Sequence, residues 1–323
     1  MIVCTVTCAD NLHEAAVMAK SVKEHMSGTK VIVCLAEKKT HPSASKIRYF
    51  DQIVLAANLG IPNFAQYLFK YVLFEGVTSL KPHLLKYLMS YYPNERQFVY
   101  LDSDMRLFRS PRELMDAMDS NRIVLVPQQL EADSLWDVHL FNGSINSGMV
   151  GVTRSEEAMR FVEWWAERTY HYCYFNHQFF ADQKWLDLAP SFFDVNMFKH
   201  PGYNVAFWNI HEQARKGLHL AAGQLWLTDK PLCIFHYSHY ENFLPSSLNK
   251  WVADRESSRI VMETYVQDLA ETGIQNISLT PWSFDFYDNG ERITPESRAK
   301  FKSNPYFQEI MTNPFAASNK VFR

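Results

Sequence analysis

Two aspartates close an apolar run in the stretch Gln97-Phe98-Val99-Tyr100-Leu101-Asp102-Ser103-Asp104. Packing gives no reason for a buried strand to finish in paired carboxylates. In an open α/β sheet, ligands gather beyond the carboxyl ends of the strands. Asp102 and Asp104, with Ser103 between them, suit a hard divalent cation that also grips a diphosphate. The competing explanation is an exposed turn, since a lone D-x-D pattern arises readily by chance.

Three further groups carry chemistry. Phe141-Asn142-Gly143-Ser144-Ile145-Asn146-Ser147-Gly148-Met149 sets Asn, Ser and Gly before an apolar strand. Glycine admits close approach of backbone to a ligand, and Asn146 and Ser147 match hydroxyl groups as donors and acceptors; a plain turn accounts for the pattern equally well. Asp182-Gln183 sits in an aromatic segment with Phe179, Phe180 and Trp185. A carboxylate beside an amide can bind sugar hydroxyls or face a reacting carbon, and a solvent-facing helix position is the alternative. His236 ends the run Cys233-Ile234-Phe235. Imidazole ligates ions such as manganese, although a satisfied core histidine fits as well and His239 competes for the role.

These groups need a scaffold, and the hydrophobic pattern supplies one. Strands are expected at 2–6, 31–35, 51–55, 97–101 and 123–126, where apolar runs are bounded by turn residues. Helices are expected between them: 12–26, ended by Gly28; 63–75; 82–92, with Pro82 in its first turn; and 111–118. Alternation of this kind means an α/β fold, a mostly parallel twisted sheet with helices on both faces. Residues 146–152 read as turn plus strand, 155–168 and 175–186 as helices, 232–236 as a strand and 257–271 as an amphipathic helix. The aromatic tail from 281 to 323 reads as irregular. The division expected is a catalytic domain over 1–245 carrying a C-terminal extension over 246–323.

Composition narrows the function. Hydrophobic residues make up 47% of the 323 residues, enough for a full core. Aromatics reach 15%, which suits either a ring-rich core or a sugar cleft. A net charge of −3 argues against a nucleic-acid partner, which needs a basic field. The five cysteines, Cys4, Cys8, Cys34, Cys173 and Cys233, lack metal-type spacing and read as free thiols in a reducing compartment. With an opening strand in place of a signal peptide and no apolar stretch long enough for a bilayer, a cytoplasmic protein is expected. The first glycine is Gly28, so the opening strand has no G-x-G-x-x-G turn for a dinucleotide. Phosphate-loop and nucleophile-elbow motifs are likewise missing.

Taken in order, Val3 to Thr7, Leu80-Lys81-Pro82, Val99 to Asp104, Asn146 to Met149, Asp182-Gln183 and His236 resemble the nucleotide-sugar glycosyltransferases of the GT-A fold. Within them the chain resembles glycogenin-like and related bacterial polysaccharide transferases, over residues 1 to about 240. His200 to Asn209 and Asp285 to Gly290 look like segments of a bacterial subgroup. The resemblance implies a Rossmann-like sheet, a nucleoside-diphosphate sugar donor (UDP-linked), a carbohydrate or other hydroxyl-bearing acceptor, and Mn or Mg. It implies that Thr7, Ala9 and Asp10 meet the nucleoside, and that Asp102 and Ser103 reach the donor. Asp102, Asp104 and His236 would hold the metal. Asn146, Ser147 and Asp182 would hold the donor sugar, Gln183 would lie near the anomeric carbon, and Lys81 would serve structure or phosphate. Hexose transfer with retention follows; inversion would need a base, with Asp182 and Glu241 as candidates. After His236 the chain runs Tyr237-Ser238-His239-Tyr240-Glu241, where the glycogenin-like pattern has a Gly and a Lys-Pro-Trp. Two other functions stay open: a carbohydrate-binding scaffold on the same fold, and a sugar nucleotidyltransferase.

Overall fold

The computed structural model describes residues 1–132, 136–273 and 280–319. The first half alternates as expected: β1 (Ile2–Thr7), α1 (Leu12–His25), β2 (Lys30–Leu35), β3 (Gln52–Leu55), α2 (Phe64–Phe69), α3 (Leu73–Ser79), α4 (Lys81–Tyr91), β4 (Gln97–Leu101), β5 (Met105–Leu107), α5 (Arg112–Ser120) and β6 (Ile123–Pro127). Then come α6 (Trp136–Asn142), β7 (Ile145–Thr153), α7 (Glu156–His171), β8 (Phe175–Asn176), β9 (Phe179–Phe180), α8 (Gln183–Leu186), α9 (Ala189–Phe192) and β10 (Val195–Met197). The last part holds β11 (Leu218–Ala221), β12 (Gln224–Leu227), β13 (Lys230–Pro231), β14 (Ile234–His236), α10 (Leu244–Trp251), α11 (Arg255–Glu271), α12 (Pro295–Ser303) and α13 (Pro305–Ile310).

Seven strands form the central sheet in the order β10-β6-β7-β4-β1-β2-β3. β7 alone runs against its two neighbours, β4 and β6; the other pairs are parallel. This is a mixed α/β architecture with a mostly parallel sheet flanked by helices. Alternate side chains of β1 enter different cores: Ile2, Cys4 and Val6 pack in one, Val3 in another. Strands covered on both faces read as continuous apolar runs, which is why the sequence marks them so clearly. All five cysteines are buried and unpaired. Burial pushes the Cys8 and Cys233 thiols up to about 12, so they are packing residues.

Three expectations are corrected. The helix expected over 63–75 is two, parted at residues 70–72, where Tyr71 turns inward to donate its hydroxyl to Thr169 O at 2.7 Å and Lys70 Nζ donates to Tyr170 O at 2.6 Å. The helix expected over 175–186 is a hairpin, Phe175 opposite Phe180, followed by the short α8. Rings decide this: Phe175 and Phe180 lie edge-to-face with each other and with Phe74 and Phe141, while Ala181 takes a left-handed φ of 44° that stops any helix through it. The tail is not irregular throughout. It forms α12 and α13, each with proline in its first turn and an Asn or Thr cap; its last four residues lie outside those described. Trp282, Phe284, Phe301 and Phe315 join the same core as β1 and β4.

Candidate active site

β4 ends at Leu101, and its last pairing with β7 sets Leu101 against Met149. The Asp102 N–H donates to Gly148 O at 2.8 Å, which fixes the turn that follows. β14 runs antiparallel to β5 with His236 opposite Met105, and the Tyr237 N–H donates to Asp104 O at 2.8 Å. Two short strands thus carry His236 across 132 positions of sequence to Asp104.

His236 Nε2 lies 3.0 Å from Asp104 Oδ1 and 4.0 Å from Asp102 Oδ2. One ligand atom from each of the three residues lies within 4.8 Å of the others. Behind the ring, His236 Nδ1 is 3.1 Å from Asn204 Oδ1. That acceptor places the hydrogen on Nδ1 and turns Nε2 to the carboxylates, as second partners of metal-binding imidazoles do. Asn204 is fully buried in a left-handed conformation, φ 51°. Burial works against a charged His236, but the Asp104 carboxylate outweighs it and raises its pKa. Reciprocally, burial would raise Asp104, and the imidazolium beside it wins, holding it below the usual carboxylate range. Two carboxylate oxygens and an imidazole nitrogen form a donor set that could hold a divalent cation. Glycine is needed beside these side chains: a Cβ on Gly148 would stand 2.5 Å from Asp102 Oδ2 and 3.0 Å from His236 Cε1.

Lys81 opens α4 beneath this cluster. Its Nζ reaches Asp102 Oδ1 at 2.9 Å, Ser147 Oγ at 3.1 Å and Asp182 Oδ2 at 3.7 Å. Burial alone would strip its charge, but Asp102 and Asp182 overcome that and raise its pKa. Tyr100 donates to the same Asp102 oxygen at 2.9 Å. Asp102 is therefore aimed by two buried donors.

Asp182 follows the left-handed Ala181 and is 2% exposed, which removes the solvent-facing alternative. Burial pushes its carboxyl up to about 6, Lys81 pulling the other way. Among the described residues its Oδ2 accepts no hydrogen bond. Gln183 is clamped at both ends: Oε1 accepts from Ser147 N at 3.1 Å and Nε2 donates to Asn142 O at 2.8 Å. Asn146 spans Gln128 Oε1 at 3.1 Å and Gly148 N at 2.9 Å.

These side chains line a cleft of about 440 Å³ together with Asn11, Glu14, His139, Trp208 and His239. Trp208 Nε1 and both ring nitrogens of His139 lack hydrogen-bond partners among the described residues, as does Asp182 Oδ2. Buried polar atoms are nearly always satisfied, so several such orphans on residues that line one cleft single it out as a candidate ligand site. Burial and the nearby Asp104 push the Glu14 carboxyl up to about 8.

Of the residues expected from sequence, Lys81, Asp102, Ser103, Asp104, Asn146, Ser147, Asp182, Gln183 and His236 line this cleft. Thr7 and Ser103 line a larger neighbouring cavity, and Ser103 belongs to both. Ala9 and Asp10 line neither; the Ala9 N–H donates instead to Glu37 Oε1 at 2.9 Å. Glu241 is also outside both cavities and accepts from Tyr240 OH at 3.0 Å. His239 lines the cleft, but His236 is the imidazole that meets the carboxylates. Glu14, Asn204, His139 and Trp208 were missed. Trp208 and Asn204 fall in the segment 200–209 already noted, whereas Glu14 gave no signal beyond an acidic first turn.

No family model matches the chain. Two curated relatives come from Bacillus subtilis (strain 168). Uncharacterized protein YfnF is 23% identical over 251 residues, 73% of this chain and 80% of YfnF. Uncharacterized protein YfnD is 23% identical over 200 residues, 59% of this chain and 63% of YfnD. Among solved structures, the galactosyltransferase LgtC, in complex with donor and acceptor sugar analogs, is similar over 84% of this chain and 96% of its own, at 14% identity and a TM-score of 0.49. Mouse xyloside xylosyltransferase 1 in its apo form is similar over 73% and 96%, at 14% identity and a TM-score of 0.41. Both of these solved structures are glycosyltransferases.

Proposed function

We propose that the chain transfers a hexose from a nucleoside-diphosphate sugar, UDP-linked, to an acceptor hydroxyl, with a divalent cation, Mn or Mg, held by Asp102, Asp104 and His236. The observation that carries this is the meeting of those three side chains at the carboxyl edge of the sheet, in a cleft whose remaining unsatisfied atoms suit sugar hydroxyls. A bound cation would offset the negative charge that grows on the leaving diphosphate.

The chain's own groups do the rest. Lys81 holds Asp102 in place and adds positive charge behind it. Ser147 and Trp208 Nε1 offer donors for the sugar, and Asp182 Oδ2, 3.7 Å from Lys81 Nζ, offers an acceptor. Gln183, with both amide ends engaged, positions the Ser147 backbone and reaches the substrate through it. Asp182 is then the carboxylate facing the reacting sugar. Transfer with retention is part of this reading, with Asp182 beside the donor sugar.

The test is release of nucleoside diphosphate from UDP-sugars with and without EDTA. Metal-dependent UDP release that Asp104→Ala lowers at least about a thousandfold, with an unchanged circular dichroism spectrum, is the expected result. Pyrophosphate release would indicate nucleotidyl transfer, and sugar binding without turnover would indicate a scaffold.

A further inference from the structure

A second cavity, about 800 Å³, opens beside the metal cleft, and the two share Val6, Asn11, Phe74, Val77 and Ser103. A molecule gripped at Asp104 therefore continues into it without leaving the protein. Its inner wall is the end of β1, with Thr7 and Cys8. Its outer wall comes from the far end of the chain: Asp285, Arg292, Ile293, Thr294, Pro295 and Arg298. Apolar sides from Phe74, Val77 and Ile293, with polar groups at the edge, suit a planar base joined to a ribose.

The outer wall is a built part of the fold. Trp282 Nε1 donates to Ala36 O at 2.6 Å, beyond the end of β2. The Ser283 N–H donates to Glu37 Oε2 at 2.9 Å, and the other oxygen of that buried carboxylate takes the Ala9 N–H. One side chain thus ties the C-terminal segment to the loop after β1. Lys38 Nζ donates to Phe286 O at 2.6 Å. Arg298, buried, donates to Phe69 O at 2.9 Å, to Phe284 O at 2.7 Å and to Asp285 Oδ1 at 3.0 Å. A Cβ on Gly76 would stand 2.7 Å from the Trp282 ring, so α3 leaves room for that anchor.

On this frame a hairpin, with Phe286 bridged to Arg292 and a turn at Gly290 (φ 85°), lifts Arg292 to the rim. Arg298 is spent on the frame. The Arg292 guanidinium is exposed at the cavity and makes no hydrogen bond or ion pair among the described residues. A planar cation in that place matches an oxygen-rich ligand such as a base carbonyl or a ribosyl phosphate.

Building on the proposed function, we propose that the segment Asp285–Arg298 forms the outer wall of the donor's nucleoside compartment and that Arg292 contacts the nucleotide. The C-terminal segment is then part of donor recognition, and Arg292 a donor-specificity residue.

The test uses calorimetric titration of the full chain with UDP, CDP, GDP and ADP in the presence of MnCl2. For the nucleotide that wild type binds best, Arg292→Ala is expected to raise Kd about tenfold or more and Arg292→Lys to recover part of the loss. The melting temperature and the affinity for Mn²⁺ alone, read by electron paramagnetic resonance, should not move. Hydrogen exchange across 285–296 should slow when nucleotide and Mn²⁺ bind. If wild type binds nucleotide while Arg292→Ala binds it equally well and 285–296 gains no protection, the wall assignment is overturned and the transferase reading stands. If wild type binds none of the four, that reading falls and this one with it.

Discussion

Asp182 shows how the site is built at the scale of a residue. Its carboxyl sits at about 6 against an ordinary 3.8, because burial penalises the ion more than Lys81 repays. Between those two values the unfolded chain has lost the proton and the folded protein still holds it. Stability is therefore full below about 3.8, falls as pH rises, and stays at its reduced level above about 6. The shift corresponds to about 3 kcal/mol at most. Asp182→Asn keeps the shape and removes the charge. It should melt higher than wild type at about pH 8, the difference shrinking as pH falls through about 6, while transfer drops at least about a hundredfold. Thermal melts across pH together with turnover check this; a stability difference that does not change with pH would contradict it. At this scale the sequence was informative about types and silent about partners. Asp182 could be named from its neighbourhood, but the clamping of Gln183 that sets it apart from Asp182 depends on Asn142 and Ser147, two contacts set by folding.

At the scale of elements, the site depends on the register of β7 against β4. Gly148 O accepts from Asp102 N, and the missing side chain of Gly148 lets Asp102 and His236 lie close against its backbone. Gly148→Ala keeps a strand-compatible backbone yet puts a methyl group 2.5 Å from Asp102 Oδ2. Its fold should survive, and its Mn²⁺ affinity should fall about 10- to 100-fold, a size typical of disturbed ligand support. Mn²⁺ titration alongside circular dichroism decides this; wild-type affinity would mean that the cation does not sit there. The strands themselves were legible because both faces are covered, leaving long apolar runs such as Phe98 to Leu101. The segment 175–186 was not. Its apolar residues fit a helical period, and only the ring cluster of Phe74, Phe141, Phe175 and Phe180, drawn from separate elements, selects the hairpin. Tertiary packing overrode the local pattern.

At the scale of the molecule, remote segments complete what the first half begins. His236 comes to Asp104 through β14 pairing with β5, and Asn204, from a loop before β11, orients it. α11 is bound to the same region by Asp268, which accepts from Arg106 Nε at 2.7 Å and pairs with Lys20 of α1. The tail places Trp282 and Phe284 in the main core. Such joins have no local signature, so the ordered motifs could imply the cluster while the second layer behind it stayed invisible. Among the described residues no helix is long and apolar enough to cross a membrane.

In the proposed function, Asp102, Asp104 and His236 would hold a divalent cation beside the donor's diphosphate. Anomalous diffraction above the manganese edge, from crystals grown with MnCl2 and UDP, tests it most directly. One strong anomalous peak among the three side chains is expected, with the diphosphate beside it and the uracil ring lying toward Arg292. A fully occupied nucleotide elsewhere on the protein, with no anomalous signal at the end of β4, would contradict it.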